Sequence, residues 1–267
     1  MTATAAALTI AGSDSGGGAG IQADLKTFSA LGVYGASAIT GITAQNTLGV
    51  MGVEPVPAAM VAAQITAVLD DIPIGAVKIG MLASPAIIEA VARALARYSG
   101  PVVLDPVMVA KSGDPLLEDA AVETLKSRLL PRADLLTPNL PEAARLLGAA
   151  PAHSSDETVA QGRALLDLGA GAVLMKGGHA GGPVCTDRLV TRDTVLEITA
   201  PRIATRNTHG TGCTLSSAIA AELAKGAALE DAVRRAQSWL HGAIRAADGL
   251  GIGRGHGPVH HFHEVWT

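Results

Sequence analysis

The chain reads Arg206-Asn207-Thr208-His209-Gly210-Thr211-Gly212-Cys213 immediately before a segment rich in Ala, Leu, Ile and Ser. That composition predicts a buried helix over residues 212–225. Gly210 and Gly212 lack a Cβ atom, so the backbone can bend sharply and approach a ligand closely. The first N–H groups of a helix have no intrahelical acceptor, and they lie at the positive end of its dipole. We therefore predict an anion-binding cradle at residues 210–213.

Cys213 falls in the first turn of the predicted helix. The pKa of a thiol at a helix start tends to be lowered, so one hypothesis is that Cys213 acts as a base beside the cradle. The alternative is a glycine-rich loop entering a core helix, with Cys213 as a small buried hydrophobic residue. The stretch taken alone leaves both interpretations open.

Composition narrows the class of protein. The 267 residues are 48% apolar with very few aromatics, and the net charge is −4 without a basic block, which disfavours nucleic acid and acidic membranes as partners. Cys185 and Cys213 follow no zinc spacing, and no secretory signal is evident, so we expect a cytoplasmic protein. Residues 27–53 carry no charge, but their glycines, Gln45 and Asn46 favour a buried strand with turns over a membrane span.

Strand and helix patterns alternate along the chain. We predict strands at 6–11, 35–43, 76–81, 101–106, 135–137 and 172–176, and an antiparallel pair within 184–199. Predicted helices cover 19–31, 57–69, 85–98, 120–130, 141–147, 156–168, 212–225 and 229–248. The pattern indicates an α/β fold with a mostly parallel sheet covered on both faces, in one domain spanning residues 1–267.

Several polar or ligand-suited residues follow predicted strand ends. Ligands of such sheets bind outside the carboxyl ends of the strands. We therefore expect one rim to carry Asp14, Gln45, Met81, Asp105, Asn139 and Lys176 together with the glycine turn.

Each rim residue allows an ordinary structural role as well as a functional one. Asn139 and Glu142 have the spacing of a helix cap with an acidic first turn, which we favour, or of a Mg²⁺ site facing phosphate; Asp105 is equally ambiguous. Lys176 could meet a nucleotide phosphate or pair with a helix carboxylate. Gln45 could be a core amide, or could bind an aminopyrimidine edge as Gln binds adenine. The histidine-rich residues 255–263 lack metal-site spacing, so a mobile or docked terminus is expected.

Seven motifs together resemble the hydroxymethylpyrimidine/phosphomethylpyrimidine kinases of thiamine biosynthesis. The resemblance runs in family order over nearly the whole chain. The motifs are residues 11–26 (AGSDSGGGAGIQADLK), 43–47 (TAQNT), 78–82 (KIGML), 105–109 (DPVMV), 137–143 (TPNLPEA), 176–179 (KGGH) and 206–213 (RNTHGTGC).

The resemblance implies a three-layer α/β/α ribokinase-like fold. It also implies ATP-dependent phosphorylation of 4-amino-5-hydroxymethyl-2-methylpyrimidine and of its monophosphate, with Mg²⁺ and room for a monovalent cation. The implied site residues are Cys213 as base, Gly210, Thr211 and Gly212 as anion hole, Gln45, Asp24, Gly12, Met81 and Val107 for substrate, Lys176, Asn139 and Thr208 for ATP, and Glu142 and Asp105 for metal.

Two other functions remain open at this point. One is a pyridoxal kinase of the same superfamily, whose substrate is also a flat ring with a hydroxymethyl arm. The other is a non-catalytic pyrimidine-binding protein, which would have no need of Cys213, Lys176, Asn139 and Glu142. We expect small molecules as partners, without nucleic acid or membrane, and a homodimer.

Overall fold

A computed structural model describes residues 4–108, 119–179 and 181–266. Val109 of the DPVMV motif lies outside the described residues. The strands are β1 Ala6–Asp14, β2 Tyr34–Asn46, β3 Gly49–Pro55, β4 Ala76–Ile79, β5 Val102–Leu104, β6 Leu135–Leu136, β7 Val173–Met175, β8 Val184–Val190 and β9 Val195–Pro201. The helices are α1 Gly20–Ala30, α2 Ala58–Asp71, α3 Pro85–Ala94, α4 Asp119–Arg128, α5 Leu140–Leu147, α6 Ser155–Asp167, α7 Thr211–Ala224 and α8 Leu229–Arg245.

The nine strands of the described residues form one sheet in the order β3-β2-β1-β4-β5-β6-β7-β8-β9. The pairs from β2 through β1, β4, β5 and β6 to β7 are parallel, whereas β3, β8 and β9 join antiparallel at the two edges. The predicted mostly parallel sheet and the predicted antiparallel pair are therefore confirmed.

The strands are apolar at successive positions because both faces of the sheet are covered. Neighbouring side chains of a strand point to opposite faces. Val102 and Leu104 accordingly join the core beneath helices α2 to α6, while Val103 joins the core beneath α1, α7 and α8. This arrangement confirms the three-layer α/β/α architecture.

The uncharged stretch at residues 27–53 differs from its prediction. A single strand at 35–43 was expected, but β2 continues to Asn46 and turns into β3, which pairs with it antiparallel. Strand β3 could not be recognised in the sequence because it is an exposed edge strand, in which the Met51 side chain is 65% accessible. An exposed strand does not show the apolar pattern of a buried one. Within the described ranges, no helix is long and apolar enough to cross a membrane.

The histidine-rich terminus is docked. The His209 N–H donates to the Gly257 carbonyl at 3.0 Å, and the His261 ring lies 3.1 Å from the Thr214 hydroxyl. Burial lowers the pKa of His261 to about 3, so its ring stays neutral. In the described part of the chain, no group of three or more His, Cys, Asp or Glu side chains is arranged to hold a metal.

Candidate active site

A cleft of about 970 Å³ opens at the carboxyl ends of the parallel strands. This volume lies within the range of small-molecule sites. The predicted site residues that line it are Gly12, Gln45, Met81, Asp105, Val107, Asn139, Glu142, Lys176, Thr208, Gly210, Thr211, Gly212 and Cys213. One sheet edge thus brings together residues that are up to 201 positions apart, from Gly12 to Cys213.

Strand order gives the cleft two ends. Gln45 of β2 and Met81 after β4 lie on one side of the central strand β5, and Asn139 and Lys176, after β6 and β7, lie on the other. Asp105 follows β5 itself and therefore sits between the two ends. The arrangement can hold two ligands that meet near Asp105.

The glycine turn has a backbone conformation that strongly favours glycine. Gly210 caps the start of α7 with a φ of 80°, in the left-handed region. A Cβ there would overlap the Gly18 carbonyl oxygen, and a Cβ on Gly212 would lie 3.3 Å from Lys176 Nζ and 3.5 Å from Asp105 Oδ2. The first turn of α7 therefore lies close to the Lys176 cation and to the Asp105 carboxylate.

The structure contradicts the expected lowering of the pKa of the Cys213 thiol. Burial raises the pKa of the Cys213 thiol to about 11. Lys78 and the Gly20 N–H oppose this rise, whereas the carboxylates of Asp24 and Asp105 add to it. The prediction of a lowered thiol pKa is therefore wrong, because desolvation and two carboxylates outweigh the helix start.

Three charged side chains cluster near the carboxyl end of β5. Lys176 Nζ lies 2.8 Å from Asp105 Oδ1 and 3.8 Å from Glu142 Oε2. Burial would lower the pKa of Lys176, but the two carboxylates raise it well above its usual range. Asp105 also accepts a hydrogen bond from the Thr137 hydroxyl at 3.2 Å. Lys176 therefore remains a fixed cation facing the cradle.

Asn139 and Glu142 form the helix cap that the sequence favoured. The Glu142 N–H donates to Asn139 Oδ1, and the Asn139 N–H donates to Glu142 Oε2, both at 2.8 Å. This reciprocal pair is a capping box at the start of α5. Burial, with Asp105 nearby, raises the pKa of Glu142 to about 7 despite the attraction of Lys176. In this cap, the negative charge of the Glu142 carboxylate is therefore only partly balanced by Lys176.

The carboxylates fit a magnesium ion that is held mainly by phosphate. Mg²⁺ commonly takes one or two protein carboxylates and completes its shell with water and phosphate oxygens. Asp105 and Glu142 supply two such groups at the cleft, and no third acidic, His or Cys group completes a cage among the described residues.

Asp24 belongs to a buried hydrogen-bond network. Its carboxylate is fully buried below the cleft and accepts hydrogen bonds from Lys78 Nζ at 2.8 and 2.9 Å, and from Thr9 and Ser217 at 2.6 Å. It is fully buried and is not among the described residues that line the cleft, so its direct contact with a substrate stays a prediction that this geometry does not support. Lys78, which sequence reasoning missed, lines the base of the cleft, although its side chain is fully buried in the ion pair with Asp24. A lysine inside the apolar strand 76–81 was the available signal.

The Thr9→Val substitution tests this buried network. Valine keeps the shape of threonine but removes the donor to the Asp24 carboxylate, so we expect a loss of about 1.5–3 kcal/mol in unfolding free energy. The control is Thr27→Val, whose buried hydroxyl donates to the neutral Ala23 carbonyl and should cost about 1 kcal/mol. Urea denaturation measures both variants. If the two variants lost the same unfolding free energy, the hydrogen bond from Thr9 to the charged Asp24 carboxylate would be no stronger than the bond from Thr27 to a neutral carbonyl.

The glycine turn, the lysine–carboxylate cluster and the parallel-sheet rim together define a small-molecule kinase with the ribokinase-like fold. The family model described as phosphomethylpyrimidine kinase matches residues 14–260. The chain belongs to this family.

Individual relatives agree with the family match. A hydroxymethylpyrimidine/phosphomethylpyrimidine kinase of Escherichia coli (strain K12) is 58% identical over 261 residues, covering 97% of this chain and 98% of that protein. The crystal structure of a phosphomethylpyrimidine kinase from Clostridium difficile has a TM-score of 0.79 and 47% identity, covering 90% of this chain and 99% of that one. A Bacillus subtilis pyridoxal kinase in an ADP complex has a TM-score of 0.91 and 36% identity, covering 99% and 100%.

Proposed function

We propose that this protein transfers phosphate from ATP to 4-amino-5-hydroxymethyl-2-methylpyrimidine, and then to its monophosphate, giving the pyrophosphate for thiamine biosynthesis. The observation that carries the proposal is the glycine turn facing Lys176 and Asp105 between the two ends of one cleft. The 58% identity to a named pyrimidine kinase selects this substrate over other small alcohols.

In the first transfer, the substrate hydroxyl oxygen forms a bond to the γ-phosphorus. The bond from that phosphorus to the bridging oxygen breaks, and ADP leaves. Such transfers ask the protein mainly for in-line positioning and for stabilisation of charge. The N–H groups of Gly210, Gly212 and Cys213 would face the moving phosphoryl group, and Lys176 would neutralise donor phosphate. The N–H of Thr211, between them, lies 3.4 Å from the Thr208 carbonyl and would have to leave it to join the cradle. The hydroxyl proton would pass to the thiolate form of Cys213, which becomes the thiol; the raised pKa keeps the fraction of this thiolate small.

The remaining assignments follow the two ends of the cleft. We assign the pyrimidine to Gly12, Gln45, Met81 and Val107, and the nucleotide to Asn139, Lys176 and Thr208. Apolar side chains that sequence reasoning missed, Ile203, Leu240 and Ile244, line the nucleotide end and suit a purine base. Magnesium would be held by Glu142 and Asp105 and would shield the phosphate charges when bound. A monovalent cation remains compatible with this scheme.

We also propose that the whole chain works as one catalytic domain in the cytoplasm, as a homodimer with small-molecule partners and no nucleic acid. Exposed apolar side chains on the β2–β3 edge support the dimer; they are Ile42, Leu48, Met51 and Val53. Contiguous exposed apolar surface commonly marks a protein contact.

Substrate competition tests the proposed function. We expect ATP consumption with the pyrimidine and with its monophosphate, and slower turnover of pyridoxal. A strong preference for pyridoxal would replace the proposal with the vitamin B6 kinase that the fold also resembles. Absence of turnover with all three, in protein that still binds the pyrimidine, would support the non-catalytic alternative.

The Glu142→Gln substitution tests the metal assignment. Glutamine preserves the capping box but removes the charge, so the melting temperature should change little while the Mg²⁺ concentration for half-maximal rate rises about tenfold. In wild-type protein, lowering the pH through about 7 protonates Glu142 and should weaken Mg²⁺ binding; the variant should lack this dependence. An unchanged Mg²⁺ titration would leave Glu142 with its capping role alone.

A further inference from the structure

The Asp14 carboxylate lies beside the substrate end of the cleft with four donors around it. Oδ1 accepts from the Gly16 N–H at 2.8 Å, and Oδ2 accepts from the Gly18 and Ala19 N–H groups at 3.1 and 2.8 Å. His209 Nε2 is also 2.8 Å from Oδ2. Burial would raise the pKa of Asp14, but His209 and the backbone donors hold it below its usual value. Asp14 is therefore an ionised acceptor.

The charge on Asp14 decides which ring nitrogen of His209 carries hydrogen. An ionised carboxylate can only accept, so His209 Nε2 must be protonated to make this contact. That nitrogen then has no lone pair for a second donor. Gln45 Nε2 is nevertheless placed 3.4 Å from it, so that two N–H donors face each other.

The opposite end of the Gln45 amide has the complementary conflict. Thr43 Oγ1 is 2.9 Å from the Ser13 carbonyl, which can only accept, so the single hydroxyl proton is used there. Gln45 Oε1 lies 3.2 Å from the same hydroxyl oxygen, so that two acceptors face each other. Rotating the amide by 180° exchanges its oxygen and nitrogen, so that the NH₂ group donates to Thr43 Oγ1 and the two N–H donors no longer face each other. The Gln45 oxygen then shares the Nε2–H of His209 with the closer Asp14 carboxylate, which makes the His209 contact the weaker of the two.

We propose that the Asp14–His209 pair and Thr43 hold the Gln45 amide with its carbonyl oxygen toward His209 and its NH₂ toward Thr43. We further propose that this fixed order of acceptor and donor sets the preference for an aminopyrimidine edge. The second statement rests on the proposed function, in which Gln45 binds the ring.

Each end of the fixed amide keeps hydrogen-bonding capacity for a ligand. An aminopyrimidine presents an amino donor beside a ring-nitrogen acceptor, which matches the acceptor and donor of one amide. Pyridoxal has no amino group next to its ring nitrogen and gains less from this order. His209 is itself held in place, because its backbone N–H donates to the Gly257 carbonyl and its ring packs directly over Gly18. It is therefore a positioning residue, with Gln45 in contact with the ring.

Imidazole ¹⁵N spectra of the ligand-free protein test the orientation without any activity. We expect His209 to carry hydrogen on Nε2, with its signals identified by their loss in His209→Asn. A ring protonated only on Nδ1 would overturn the inference, since Nε2 could then accept from the Gln45 NH₂ without any rotation of the amide.

Calorimetry of ligand binding tests the consequence for specificity. Thr43→Val removes the acceptor for the Gln45 NH₂ and should weaken pyrimidine binding about tenfold, whereas Thr43→Ser keeps the hydroxyl and should stay within about twofold. Pyridoxal and ATP binding should change little in either variant. Equal pyrimidine affinities in the two variants would overturn the role in specificity. Wild-type protein that fails to bind the pyrimidine would remove the proposed function and this role together, while the ¹⁵N spectra would still decide the amide orientation.

Discussion

Gly210→Ala is expected to lower kcat by about 10²–10³ while the protein remains folded, because the cradle N–H groups move away from the transferring phosphate. The φ of 80° at this position costs a non-glycine residue about 1–2 kcal/mol, and the added methyl would also overlap the Gly18 carbonyl oxygen. The overlap forces residues 209–212 to shift. Steady-state kinetics with saturating ATP and substrate measures the loss.

The matched control is Gly226→Ala. Gly226 has a similar φ of 85°, but among the described residues a Cβ added there would meet no packed neighbour within 4 Å. This variant should lose about 1–2 kcal/mol of stability and keep its full kcat. If Gly210→Ala matched Gly226→Ala in both stability and kcat, the exact position of the glycine turn would have no part in catalysis.

The grouping of polar residues at one sheet edge could be predicted from the sequence, because parallel strands all end at the same edge. Each buried strand ends at the same sheet edge, so Gln45, Asp105 and Lys176 had to converge once their strands were identified. The capping box at Asn139 and Glu142 was equally readable, since its spacing is local. What could not be predicted was which side chains of α1 are buried against the sheet: Asp24 is fully buried and pairs with Lys78.

The thiol pKa could not be predicted because it depends on residues far apart in sequence. The helix start around Cys213 is local and visible, and it favours a thiolate. The opposing carboxylates come from α1 and from the end of β5, more than 100 residues away, and burial is a property of the assembled layers. Burial and the two distant carboxylates therefore change the thiol pKa more than the helix start does, and the local sequence shows only the helix start.

The raised thiol pKa changes how Cys213 can act. With a pKa of about 11, only about one thiol in 10⁴ is ionised at pH 7. A loose phosphoryl-transfer transition state needs little proton removal early in the reaction, so the cradle and Lys176 can carry most of the stabilisation. The base contribution should therefore lie toward the lower part of the usual range of about 10²–10⁴.

Cys213→Ala should accordingly lower kcat by about 10²–10³ and leave the binding of ATP and pyrimidine nearly intact, since the cradle is made of backbone. At saturating Mg²⁺, the wild-type rate should rise with pH between about 7 and 9, because the pH approaches the thiol pKa, and this rise should be absent in the alanine variant. Cys213→Asp is the control for proton transfer: a carboxylate ionises more readily than this thiol, so it should recover at least about tenfold over alanine. If Cys213→Ala keeps nearly full kcat and mainly lowers the melting temperature, Cys213 is a packing residue, and the cradle, Lys176 and the metal perform the transfer without a side-chain base.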